Sequence, residues 1–102
     1  MRHLGVLRGS GQLESGGQSM GRADYEFDGY QVHPGQIVGS GEIHMNPELL
    51  NNAFGRNDLV LRTDDGHTLS IRFSGKMLAP TAGVAHADVR EGLPAAKAWQ
   101  RR

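Results

Sequence analysis

Hydrophobic and polar positions alternate along most of this chain, and that period of two predicts strands. The pattern is cleanest between Asp58 and Ser74. Leu59 and Leu61 alternate with Val60 and Arg62, and then Leu69, Ile71 and Phe73 alternate with Ser70 and Arg72. Packing selects the turn between the two runs. A two-residue Asp65-Gly66 loop sets Leu61 opposite Ser70 and splits the apolar faces. A three-residue Asp64-Asp65-Gly66 loop sets Leu61 opposite Leu69 and Leu59 opposite Ile71, with Gly66 left-handed as a bulge. The same register places Asp58 opposite Arg72 on the solvent side.

The first half reads as three strands, from about Leu4 to Ser15, Ser19 to His33 and Gln36 to Met45. Gly16-Gly17 and Pro34-Gly35 are the turns between them. Asp24, Glu26 and Asp28 alternate with Tyr25 and Phe27. A two-residue Pro34-Gly35 turn alone puts those aromatics on the wrong face, so one extra residue is needed. A β-bulge at Asp28-Gly29 supplies it, and Tyr25 then faces Ile43 while Phe27 faces Gly41. Counting across the first turn with a three-residue loop puts Tyr25 opposite Gly9 and Phe27 opposite Leu7.

Between the halves, Asn46-Pro47-Glu48 starts a short helix, about Pro47 to Phe54. Asn46 can cap it, Pro47 suits its first position, and Gly55 can end it. Leu49, Leu50 and Phe54 are expected on its apolar side. After Pro80 a run of small residues from Val84 to Glu91 gives a sixth strand, and Leu93 to Trp99 allows a last helical turn before a frayed basic tail. The expected fold is therefore all-β: a small antiparallel barrel or highly curved sheet of about six strands, with one short helix between strands 3 and 4. Three strands, helix, two strands is the element order of the OB-fold. One domain is expected over 1–94, with 95–102 as an appended turn and tail. The expected core is Leu13, Tyr25, Phe27, Ile37, Ile43, Leu49, Phe54, Leu59, Leu61, Leu69, Ile71 and Phe73.

A glycine repeat sharpens this picture. Gly9-Ser10-Gly11 returns as Gly39-Ser40-Gly41, each inside a strand. No helix follows either copy, as a phosphate loop requires, so the repeat reads as sheet bends with aromatic rings covering bare backbone.

Charge and composition remove several function classes. Lysine plus arginine and aspartate plus glutamate stand at 11 each, so no basic excess points to nucleic acid or an anionic membrane. Zero cysteine excludes disulfides, thiolate chemistry and sulfur-ligated zinc, and with no signal-like N-terminus it suggests a cytoplasmic protein. The five histidines show no short ligand spacing. His44 and His86 are the pair a closed barrel can bring together, with Glu42 or Asp88 beside them. The acids at Asp24, Glu26 and Asp28 read as a solvated strand face. No serine has a nucleophile setting.

A non-enzymatic binding module follows, without cofactor or metal, working through protein–protein interaction or self-association at a sheet edge. The alternative is OB-like single-stranded nucleic-acid binding through Tyr30, Arg62 and Arg72. A small-ligand or metal-binding barrel is the third option.

Overall fold

The computed structural model describes residues 1–75, 77–95 and 99. The expected tail turn lies almost wholly outside them. Six strands and one helix follow in order: β1 (Arg2–Ser15), β2 (Gln18–His33), β3 (Gln36–His44), α1 (Pro47–Ala53), β4 (Leu59–Thr63), β5 (Thr68–Phe73) and β6 (Val84–Glu91). They close a barrel in the ring order β1-β2-β3-β6-β5-β4, with every neighbouring pair antiparallel. The expected fold class is therefore observed. β6 enters the ring between β3 and β5, which gives six strands where an OB barrel has five. Among the described residues, no helix is long and apolar enough to cross a membrane.

The registers expected from the apolar pattern are present: Tyr25 lies opposite Gly9 and Ile43, and Phe27 opposite Leu7 and Gly41. The devices that set them differ. The first turn is the two-residue Gly16-Gly17 loop, and the extra residue is a bulge at Met20, between Leu13/Gly21 and Glu14/Ser19. In the second hairpin the irregularity lies between Gln31 and His33, not at Asp28-Gly29. Counting fixes only the net offset between the turn and the aromatics, and any position in between satisfies it. Gly29 keeps ordinary pairing with both Gly5 and Gly39, and a Cβ there would fall 2.4 Å from the Trp99 ring.

In the β4–β5 hairpin the three-residue loop is as expected. Thr63 N–H donates to the His67 carbonyl at 2.8 Å, Gly66 has φ +102°, and Leu61 faces Leu69. The Asp58–Arg72 pair does not form. β4 begins one residue later, so Asp58 instead accepts from the Ser15 hydroxyl at 2.5 Å, while Arg72 stands opposite Asp88.

The interior is filled by pairing large with small. One cross-strand row reads Leu7, Phe27, Gly41, Ala87, Phe73, and the next reads Gly9, Tyr25, Ile43, Ala85. Tyr25 and Phe27 stack with ring centroids 5.4 Å apart. A barrel this narrow has no room for bulky side chains on every strand, so Ala23, Ala85 and Ala87 are core residues alongside the aromatics. That steric role is why the expected core omitted them.

The helix plugs one end. Asn46 Oδ1 accepts from Glu48 N–H at 3.0 Å, Pro47 opens the helix, and Asn51 Nδ2 donates to the Pro80 carbonyl at 3.2 Å. This rotation turns Leu50 and Ala53 inward, each fully buried, and leaves Leu49 37% exposed, with Leu49 Cδ1 against Gly21. Phe54 packs against the core from its edge, stacked on Phe73 at 5.7 Å. Ile37 is only half-buried, because the β2–β3 tip runs past the last β6 partner, Gly39, where no sixth strand covers it.

A candidate interaction edge

The three long strands outrun the short ones, and the molecule is elongated at 38 × 25 × 24 Å. β4 pairs with β1 only from Gly11 to Ser15. One more hydrogen bond, from Asp64 N–H to the Ser10 carbonyl at 2.9 Å, closes the seam. Beyond it, β1 from Arg2 to Gly9 is bonded to β2 on one side, and among the described residues nothing pairs with its other side. A strand with one bare side presents unpaired N–H and C=O groups, which is a template for another extended chain.

Local sequence explains why the seam opens there. β4 is stopped at Thr63 by its own turn, since the Thr63 hydroxyl accepts from His67 N–H at 2.8 Å and donates to Asp65 at 2.5 Å. Gly11 permits the approach up to that point: a Cβ on it would lie 2.4 Å from the Arg62 carbonyl oxygen. At the other end of the stretch, Leu4 is an extra residue between His3/Tyr30 and Gly5/Gly29, and it is buried rather than exposed. The regular part of the free edge therefore runs from Gly5 to Gly9.

Side chains hold this strand firmly on its β2 side. Outward residues form rungs across the pair: Ser10 donates to Asp24 at 2.5 Å, Arg8 pairs with Glu26, and His3 Nε2 meets Asp28 at 2.9 Å. The acids of β2 are thus partners of β1 rather than a merely solvated face. Further along, Arg22 grips Asp64 with two hydrogen bonds at 2.8 and 2.5 Å across β1, which holds the Asp64 carboxyl below the usual carboxylate range. Water screens pairs this exposed, so the rungs set register more than stability. Among these rungs Val6 stands out, an apolar side chain 40% exposed on the outer face within the free stretch.

The inner side of the same region is covered. Trp99 is 7% exposed, its ring lies against Gly29, and its indole N–H donates to the Pro94 carbonyl at 3.0 Å. Tyr25 is buried further along the inner face of β2, beyond Phe27, and burial together with the Asp65 charge raises its phenol above the ordinary value. The longest unpaired strand edge at this end, among the described residues, is therefore that of β1; β3 adds the shorter Gln36–Val38 stretch beyond its last β6 partner.

Arg62 and Arg72 lie on the neighbouring strands β4 and β5, and Tyr30 lies on β2, apart from both. Tyr30 lies on β2 with its ring against His3 at 5.3 Å. Arg62 lies on β4, with Nε 2.9 Å from Glu14, and Arg72 lies on β5 opposite Asp88. β1 separates Tyr30 from Arg62, and β3 and β6 separate it from Arg72. His44 and His86 are diagonal neighbours on the outer face, since Glu42 faces His86 and Val84 faces His44. His44 Nε2 is 3.4 Å from Glu42, and His86 Nδ1 is 2.7 Å from the Ser74 hydroxyl. Among the described residues no three His, Asp or Glu side chains are placed to hold a metal ion.

A shallow depression of about 300 Å³ lies beside them, lined by Arg22, Ala23, Asp24, His44, Met45, Asn46 and Gly83. Its Arg22, Asp24 and Asn46 are already engaged, by Asp64, Ser10 and the helix cap. Sequence reasoning missed the β1 edge because strand lengths, not residue types, create it. The readable signal was the mismatch between a fourteen-residue first strand and a five-residue fourth one. The chain matches no family model, no curated protein and no solved structure.

Proposed function

We propose that this protein is a non-enzymatic binding module that takes up an extended protein segment along the free edge of β1. The observation that carries this is the seam itself: ladder pairing with β4 stops at Gly11, and the strand continues for another turn-free stretch that, among the described residues, has one unpaired side. Strand addition of this kind draws affinity from main-chain hydrogen bonds and selectivity from side chains flanking the edge. Here the flanking groups are Val6 and Arg8 on the outer face and the acidic Asp64-Asp65 turn at the end of the free edge.

The test is capture from lysate of the native host, with nuclease added, comparing the wild-type chain with Val6→Lys. Val6 is surface-exposed, so the substitution leaves the fold intact, and it charges the middle of the edge. A stoichiometric protein retained by wild type and reduced at least about fivefold by the variant is the expected result. A partner held equally by both places binding on another surface. Partners lost on nuclease treatment transfer the function to nucleic acid.

A further inference from the structure

We propose that a second copy of this chain is the segment that pairs with the β1 edge, antiparallel and centred on Leu7, to give a two-fold dimer. This rests on the edge-pairing function above and names its partner. The free, regular stretch is bounded on both sides, by the Leu4 bulge and by the Asp64 N–H to Ser10 carbonyl bond. Its midpoint is Leu7. A two-fold axis there sets Gly5 opposite Gly9, Val6 opposite Arg8, and Leu7 opposite its own copy. An isologous contact needs that self-complementarity.

The side chains suit the register. On the outer face, Val6 receives the aliphatic stem of Arg8 from the second copy, while the guanidinium stays on its own Glu26. On the inner face the two half-buried Leu7 side chains meet between glycine pairs, where no Cβ crowds them. The strand ends add charge complementarity. An antiparallel second strand runs head-on toward the β4–β5 turn, so its Arg2 approaches Asp64 and Asp65, and the symmetry repeats this contact. Other registers lose these features: shifting the axis onto Arg8 faces two arginines, and shifting it onto Val6 runs the pairing into the Leu4 bulge. So short a contact lies at the weak end of specific interfaces, with a dissociation constant roughly between micromolar and millimolar.

Sedimentation equilibrium from about 10 µM to 1 mM, with two substitutions of opposite charge at Val6, tests the proposal. Val6→Lys puts an ammonium opposite Arg8 twice and is expected to weaken the dimer at least about fivefold. Val6→Glu puts a carboxylate there and is expected to hold or tighten it. Thermal melts of dilute protein check that both variants fold. The chain has no cysteine, so mixing Val6→Cys with Arg8→Cys protein is expected to give a cross-linked heterodimer faster than either alone. A monomer throughout the range overturns self-pairing, and if the Val6-dependent capture above is also positive, the edge serves a different protein. A dimer indifferent to both charges, or weakened equally by both, overturns this interface.

Discussion

Gly41→Ala is expected to cost at least about 3 kcal/mol of folding stability, a large fraction of the roughly 5–15 kcal/mol that such a domain has. A Cβ at this position would stand 1.9 Å from the Glu26 carbonyl oxygen and 2.9 Å from Phe27 Cα. Both are backbone of the neighbouring strand, so no side chain can swing aside to relieve the overlap. β2 and β3 must separate at the middle of their ladder, which weakens their hydrogen bonds above and below. Gly39, two residues away in the same repeat, meets Leu93 Cδ1 at 3.1 Å and the Asp28 carbonyl at 3.4 Å. Gly39→Ala is expected to cost about 1 kcal/mol or less, because the end of a leucine side chain can yield. Urea unfolding of the two variants separates backbone crowding from ordinary packing.

Phe27→Ala is expected to cost about 3–5 kcal/mol, the usual range for a fully buried phenylalanine. Phe27 has no exposed surface, stacks on Tyr25 and lies opposite Leu7 and Gly41. The row supplies nothing to collapse into the void, since its smaller members are a glycine and an alanine on strands already bonded on both sides. Phe27→Leu is expected to be milder, below about 2 kcal/mol. Phe27→Ala does not rescue Gly41→Ala, because the clash at Gly41 is with the Glu26 carbonyl and not with the phenyl ring. A double variant whose midpoint recovers toward wild type would contradict that assignment.

Much of this fold was legible in the residues, and the limits have physical causes. Alternation gave the six strands, and the demand that Tyr25 and Phe27 face inward gave their partners on both sides. The same demand says nothing about where an extra residue sits, so the bulges appeared at Met20 and near Val32 and not where counting placed them. The glycine repeat was rightly tied to sheet bending, but rings cover only part of it. Tyr25 lies over Gly9, with its hydroxyl 2.8 Å from where a Cβ would be, whereas Gly11 and Gly41 face carbonyl oxygens of adjacent strands. Close backbone approach depends on the tilt of the closed ring, which local pattern does not carry. Trp99 shows the same limit, since its ring lies over Gly29, a residue far away in the sequence.

For function, the sequence offered residue types, and the structure offers an edge. The acids of β2 looked solvated because their partners, Arg8, Ser10 and His3, are more than ten residues away. Arg62 looked available for phosphate because Glu14 lies on a strand that pairs with it only through ring closure. Both readings change once β1 is placed between β2 and β4, and the same placement leaves one side of β1 from Gly5 to Gly9 unpaired among the described residues.

Residue-resolved amide hydrogen exchange on dilute protein tests that bare edge most directly. The expected result is a change of pattern along β1. From Gly11 to Leu13, between β2 and β4, amides exchange uniformly slowly. From Gly5 to Gly9, amides turned toward β2 are slow and those turned away are fast, and the fast ones become protected as the protein is concentrated. Uniform protection from Gly5 to Leu13 at every dilution would contradict the open edge and the binding function built on it.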